Sequence, residues 1–311
     1  MSSPAGGVAG TGATAAAHLG LAPVDAPFPV ERVHRVVPAP RPLNGEPSVV
    51  LDDAWPAALH RRLDRLRHDR AGVVVGGTRR QVLRAAWRLL PVGWDGEVAL
   101  LPHLAVAVDV AHGTAEPTGP PVIGQAELLA ESGDDLLLVG WLLACSDDLV
   151  VLRRTGPGAL AAELLAVAFP SGWPPRQRLG ASLDDLHAPV ADGERLRRAS
   201  PALSEALLAK GPYLQHVWGL DPSGRLDRDP SAPDADTTPR PPPDQWWLRV
   251  ERQTSLPLGD RALFTIRPFL TPLTALTSEQ RAVLASAVRS MSPASRAYKG
   301  VPNGLEDWLV S

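Results

Sequence analysis

The stretch Leu149–Phe169, LVVLRRTGPGALAAELLAVAF, decides the fold class. Its apolar runs, Leu149 to Arg153 and Leu160 to Phe169, flank Thr155, Gly156, Pro157 and Gly158. Gly and Pro supply the backbone conformations of a tight reversal, so the segment reads as two strands joined by a turn. Downstream, Tyr213 to Leu220, Trp246 to Gln253 and Arg261 to Phe269 are three more strand-like runs. Helical periodicity lies on either side of them. Ala58, Leu59, Leu63 and Leu66 form one apolar stripe between Ala54 and Arg70, and Val82, Leu83, Ala86 and Leu89 another in a helix capped by Thr78 and running to Leu90. Leu196, Leu203, Leu207 and Leu208 face inward from a helix over Glu194–Lys210, and shorter helices are expected near Ser278–Ser290 and Gly304–Val310. Strands gathered between helices, without a strand-helix alternation, predict an α+β fold on an antiparallel sheet.

Further out the signal thins. Residues 1–25 are low in complexity and 38–47 hold four prolines, so 1–47 reads as a flexible N-terminal segment and 48–311 as the folded domain. Val49, Val50 and Leu51 read as a short strand before Asp52 and Asp53. Residues 91–121 read as irregular, and 221–243, rich in proline and aspartate, as a solvated loop.

The 31 basic and 34 acidic side chains leave a formal charge of −3, without the basic excess of a nucleic-acid-binding surface. The apolar run Leu136–Cys145 is far short of the ~20 residues that span a bilayer. The N-terminus lacks a basic start and an apolar core, so a cytoplasmic protein without membrane association is expected. A single cysteine, Cys145, excludes an internal disulfide and a cysteine-ligated iron–sulfur cluster. Lys210 and Lys299 are each followed by glycine, which rules out a P-loop, and neither a G-x-G-x-x-G, an H-E-x-x-H nor a G-x-S-x-G motif occurs. His60 and His68 share roughly one helix face with arginines and read as solvated.

Three segments carry a resemblance. They are Phe169-Pro-Ser-Gly-Trp173, Leu186-His-Ala-Pro-Val190, and Leu248-Arg-Val-Glu-Arg-Gln-Thr254 followed by Leu263-Phe-Thr-Ile-Arg267. In this order they resemble the FPSxW, IHxPVP, RVERQT and FTIRTY segments of the haem-dependent oxidative N-demethylase family. The resemblance extends over about residues 48–290 and departs from the family at Gln215 and Val217, where Arg and Asn are usual. It implies a PAS-like sheet holding haem b, and oxidation of a methyl group on a small secondary alkylamine with release of formaldehyde. It also implies NADPH-derived electrons delivered by a separate flavin/iron–sulfur reductase subunit. A haem or small-molecule sensor without turnover is the alternative on the same fold.

Under this resemblance His187, beside Pro189, is the candidate iron ligand, since haem iron is commonly held by imidazole. The other reading is that His187 only hydrogen-bonds its own turn; His216 is the second candidate. Glu251 is the candidate partner of the substrate ammonium, because a carboxylate at the end of an apolar pocket pairs with a dialkylammonium. Arg252 and Arg267 are candidates for the haem propionates, with an ion-pair network across neighbouring strands as the alternative role for all three.

Overall fold

The structure, a computed structural model, describes residues 26–37, 39–51, 55–101, 106–119, 129, 133–231 and 241–311. The N-terminal tail read in 1–25 lies outside the described residues. In chain order the chain forms β1 (Arg41–Pro42), α1 (Trp55–Val73), β2 (Val74–Gly76) and α2 (Arg80–Trp87). There follow β3 (Gly93–Asp95), β4 (Val98–Leu101), β5 (Val106–Asp109), β6 (Thr114–Pro117) and α3 (Leu136–Ala144). The second half holds β7 (Asp148–Gly156), β8 (Ala159–Ala166), α4 (Leu183–His187), α5 (Glu194–Ala209), β9 (Tyr213–Asp221), β10 (Trp247–Leu258) and β11 (Arg261–Pro272). Three helices close the chain: α6 (Ser278–Arg289), α7 (Pro293–Tyr298) and α8 (Leu305–Trp308). Among the described residues, helices and antiparallel sheets coexist without βαβ crossovers, which is the α+β class.

The chain divides into two compact units, one comprising residues 49–70 and 79–147, the other 26–48, 71–78 and 148–311, apart from the N-terminal 25 residues. In the first, β3, β4, β5 and β6 form a four-stranded antiparallel meander where the sequence reads as irregular. Its strands are only three or four residues long, too short for their alternation to stand out from the surrounding Gly and Pro. The apolar run Leu136–Ala144 is a helix buried on every side. Arg62 is also fully buried in this unit and donates to the carbonyls of Leu142 (3.1 Å), Ser146 (2.7 Å) and Asp147 (2.9 Å). Those carbonyls close the C-terminal end of α3, where the last turn lacks intrahelical partners. Arg62 and Arg65 therefore belong to the core side of α1, while Arg61 and Arg67 are exposed.

The second unit is built on a seven-stranded antiparallel sheet in the order β1-β9-β10-β11-β7-β8-β2. β10 and β11 pair over their whole length from Trp247↔Pro272 to Leu258↔Arg261, longer than the sequence runs suggest because Ser255 to Leu258 continue the ladder. The segment before Ser48 takes part in this unit: Arg41 and Pro42 pair with Leu214 and Tyr213, and the Leu43 N–H donates to the Pro212 carbonyl (3.0 Å). Ordered structure thus starts earlier than the prolines of 38–47 suggest, while Val49–Leu51 form no strand. Asp148, buried at the start of β7, accepts the backbone N–H groups of Ala168 (3.0 Å) and Phe169 (3.1 Å), fixing the exit of β8. One face of the sheet packs Val150, Leu152, Leu165 and Ala262 against Leu183, Leu207 and Leu208 of α4 and α5.

The loop after β9 is not merely solvated. Asp221 is fully buried, and its Oδ1 accepts from the Ser223 N–H (2.8 Å), the Ser223 hydroxyl (2.8 Å) and the Gly224 N–H (3.0 Å). Gly224 has φ +63°, and a Cβ there would lie 2.5 Å from the Trp247 ring, so both the turn and the close approach require glycine.

Candidate functional site

Side chains alternate across a strand, so β10 sends Arg249, Glu251 and Gln253 to one face of the sheet and Val250, Arg252 and Thr254 to the other. The register extends each face sideways: Glu251 lies opposite Val217 and Pro268, and Arg252 opposite His216 and Arg267.

On the Glu251 face the residues of two separate sequence segments meet. Arg249, 4% exposed, donates through Nε to the Ser171 hydroxyl (2.7 Å) and through its terminal nitrogens to the carbonyls of Phe169 (2.9 Å) and Leu226 (2.9 Å). Ser171 donates its own hydroxyl hydrogen to Glu251 Oε1, and Arg249 Nε stands 3.7 Å from the same oxygen. Glu251 Oε2 accepts from Gln253 Nε2 (2.9 Å), and Gln253 Oε1 accepts from Gln215 Nε2 (2.7 Å). The Glu251 side chain is 17% exposed. Beside it the surface is open, since Val217 is 44% exposed and a Cβ on Gly219 would meet nothing within 4 Å. Phe264, Ile266 and Trp173 are half-buried on this face. A second cation, Lys299, lies at the β9 edge: its Nζ donates to the Trp218 carbonyl (2.8 Å) and lies 4.9 Å from the Trp218 ring centroid. Burial lowers its pKa from 10.5 to about 8, with the Glu251 charge drawing it upward.

His187 ends α4, a helix capped by Ser182 and Asp185 in a reciprocal box. Its Nδ1 is 2.7 Å from the Leu183 carbonyl, which can only accept, so Nδ1 donates and Nε2 is the nitrogen that a neutral ring would offer to a metal. That second bond is how metal-binding imidazoles are commonly oriented. The neighbouring Leu186 packs on the same core as Phe264 and Ile266.

Arg252 and Arg267 do not join Glu251. Arg252, 6% exposed, donates to the carbonyls of Ser48 (2.9 Å) and Pro47 (2.6 Å) on the opposite face. Thr254 and Thr265, whose hydroxyls are 2.7 Å apart, reach the same Ser48 carbonyl. Arg267 is 2% exposed, donates to the Pro268 carbonyl (2.9 Å) and lies 4.8 Å from the Phe269 ring centroid. Glu251 and the two arginines therefore lie on opposite faces of the sheet, as alternation along β10 requires for Glu251 and Arg252. His216 is on the arginine face too; burial foremost, then the charges of Arg252 and Arg41, lower its pKa. The residue that sequence reading passed over is Arg249, whose period-2 relation to Glu251 was the available signal.

The segments that converge here, 169–173 and 248–254, fall in one continuous match. The sequence model of the haem-dependent oxidative N-demethylase, alpha subunit-like family covers residues 121–307, more than half of the chain. The chain belongs to this family. No curated protein matches it. The match takes in strands β7 to β11 of the seven-stranded sheet and leaves out the four-stranded meander. Among the described residues, no helix is long and apolar enough to cross a membrane.

Proposed function

We propose that this N-demethylase-like chain binds haem b through His187 on a PAS-like sheet and takes part in oxidative demethylation of a small secondary alkylamine, with Glu251 receiving the ammonium. The observation that carries the reading is the Glu251 carboxylate. Both its oxygens accept from uncharged donors, Ser171 and Gln253, on a face open at Val217 and Gly219. A dialkylammonium has two N–H donors and short apolar arms, which suit a carboxylate bordered by Val217, Pro268 and Ile266. A bound haem would supply an iron able to activate O₂ for oxidation of the carbon next to nitrogen, with formaldehyde and the shorter amine as the products.

His187 would hold the haem iron through Nε2, because Nδ1 is tied to the Leu183 carbonyl. Arg252 and Arg267 are structural in this reading. The two electrons each cycle consumes come from NADPH through a separate flavin/iron–sulfur reductase, because a chain with Cys145 as its one cysteine has no thiolate set for an iron–sulfur centre of its own. The alpha-subunit-like character of the family supports such a partner.

The test is the absorption spectrum of protein purified from haem-supplemented cells. A Soret band is expected, and His187→Ala should abolish it while the circular dichroism stays native. A band that survives in His187→Ala and vanishes in His216→Ala would move the ligand to the arginine face. Formaldehyde should form from dimethylamine, O₂ and NADPH only when a reductase is added. Sustained turnover without one would overturn the partner assignment, and a haem-loaded chain that never turns over would leave the sensor reading.

A further inference from the structure

The hydrogen bonds around Glu251 have a direction as well as a geometry. Arg249 Nε can only donate, so the Ser171 oxygen must accept from it and Ser171 sends its single hydrogen to Glu251 Oε1. On the other side, Gln253 presents Nε2 to Glu251 Oε2. If the Gln253 amide turned over, its carbonyl oxygen would face the carboxylate and its Nε2 would face the Gln215 Nε2, putting like against like at both ends. Gln215 therefore holds the orientation of Gln253 by donating to Oε1, and Gln253 in turn holds Oε2. Gln215 itself makes no hydrogen bond to Glu251, and it belongs to a different strand, β9, next to the open edge at Val217 and Gly219.

We propose that Gln215 is a positioning residue for cation binding: by fixing the Gln253 amide it turns the Glu251 carboxylate toward a ligand that donates N–H and carries positive charge, a small alkylammonium. The inference rests on the assignment of Glu251 to the substrate ammonium and adds the group that orients it. Gln215 contributes no charge, so its effect reaches the ligand only through Glu251. Lys299, the other cation acting on Glu251, is committed to the carbonyl and ring of Trp218. Arg249 is committed to Ser171 and to three backbone carbonyls, those of Phe169, Arg225 and Leu226.

The experiment is a double-mutant cycle on the haem-loaded full chain, with dimethylammonium chloride as the probe and binding read by calorimetry, and with cyanide binding and thermal unfolding as checks on haem and fold. Gln215→Met keeps the side-chain length and removes the donor; it should weaken dimethylammonium binding about five-fold, the effect of one lost hydrogen bond. In the Glu251→Gln background the same substitution should change nothing, because the group it acts through is gone. Gln215→His, which restores an N–H donor, should recover part of the loss. If Glu251→Gln weakens the probe but Gln215→Met does not, or if Gln215→Met weakens it equally in both backgrounds, the positioning role is overturned while the ammonium reading stands. If Glu251→Gln leaves binding unchanged, the ammonium reading fails and the proposal with it.

Discussion

Arg249 and Arg252 are three residues apart on one strand, both almost fully buried, and both hold backbone carbonyls. Arg252 and its neighbours Thr254 and Thr265 converge on Pro47 and Ser48, ending in main chain. Arg249 fastens main chain too, but it also engages the Ser171 hydroxyl, which passes the interaction on to Glu251. A guanidinium is a good clamp for carbonyls because its donors are fixed in a planar fork. What sets the Glu251 face apart is that its arginine reaches, through the Ser171 hydroxyl, a carboxylate whose oxygens accept from Ser171 and Gln253 and keep lone pairs that a ligand can use.

That comparison is broken or sharpened first at the arginines. Arg249→Met should have the largest effect on stability, about 3 kcal/mol by urea unfolding, since it strands buried carbonyls and frees Ser171. It should also weaken dimethylammonium binding. Arg252→Met should cost about 2 kcal/mol through the Pro47 and Ser48 carbonyls while leaving haem content and amine affinity as they are. A stable Arg252→Met protein that loses haem would restore the propionate role and undo the distinction between the faces.

Glu251→Gln comes next. It keeps the shape and removes the charge, so its effect belongs to binding: about ten-fold weaker dimethylammonium, or about 1.4 kcal/mol, with an unfolding midpoint within the range of an ordinary surface change. A stability loss as large as that of Arg249→Met would make Glu251 a structural acid bound to Ser171 and Gln253 and nothing more.

How much of this was legible follows from the range of each signal. The strands of the seven-stranded sheet announce themselves because they are long, apolar and separated by glycine and proline, as at Thr155–Gly158. The meander strands are too short for that. Period-2 alternation already separates Glu251 from Arg252. Arg62 stands among arginines and histidines, a setting that suggests a solvated face, yet it is four residues from both Ala58 and Leu66 on the buried stripe. The partners that justify its burial, the carbonyls at the end of α3, are 80 or more residues away and leave no trace in local pattern. For the same reason the contact of Ser171 with Glu251 could be inferred only as two motifs of one family, never as a hydrogen bond.

The last effect concerns Lys299, which lies at the Trp218 edge. Its pKa is about 8 in the folded chain against an ordinary 10.5, because burial opposes the charge more than Glu251 supports it. Between these values the unfolded chain binds more protons than the folded one, so stability rises with pH across the window from about 8 to 10.5. Relative to Lys299→Met, which has no such group, the native protein should gain stability as pH is raised through this range. Removing the supporting charge should shift the balance further toward burial. In Glu251→Gln the rise should therefore begin below pH 8, as read by chemical unfolding at a series of pH values. An onset that stays where it is in the native protein would mean that Lys299 and Glu251 do not share a field, and would confine the influence of the carboxylate to Ser171, Gln253 and whatever ligand it meets.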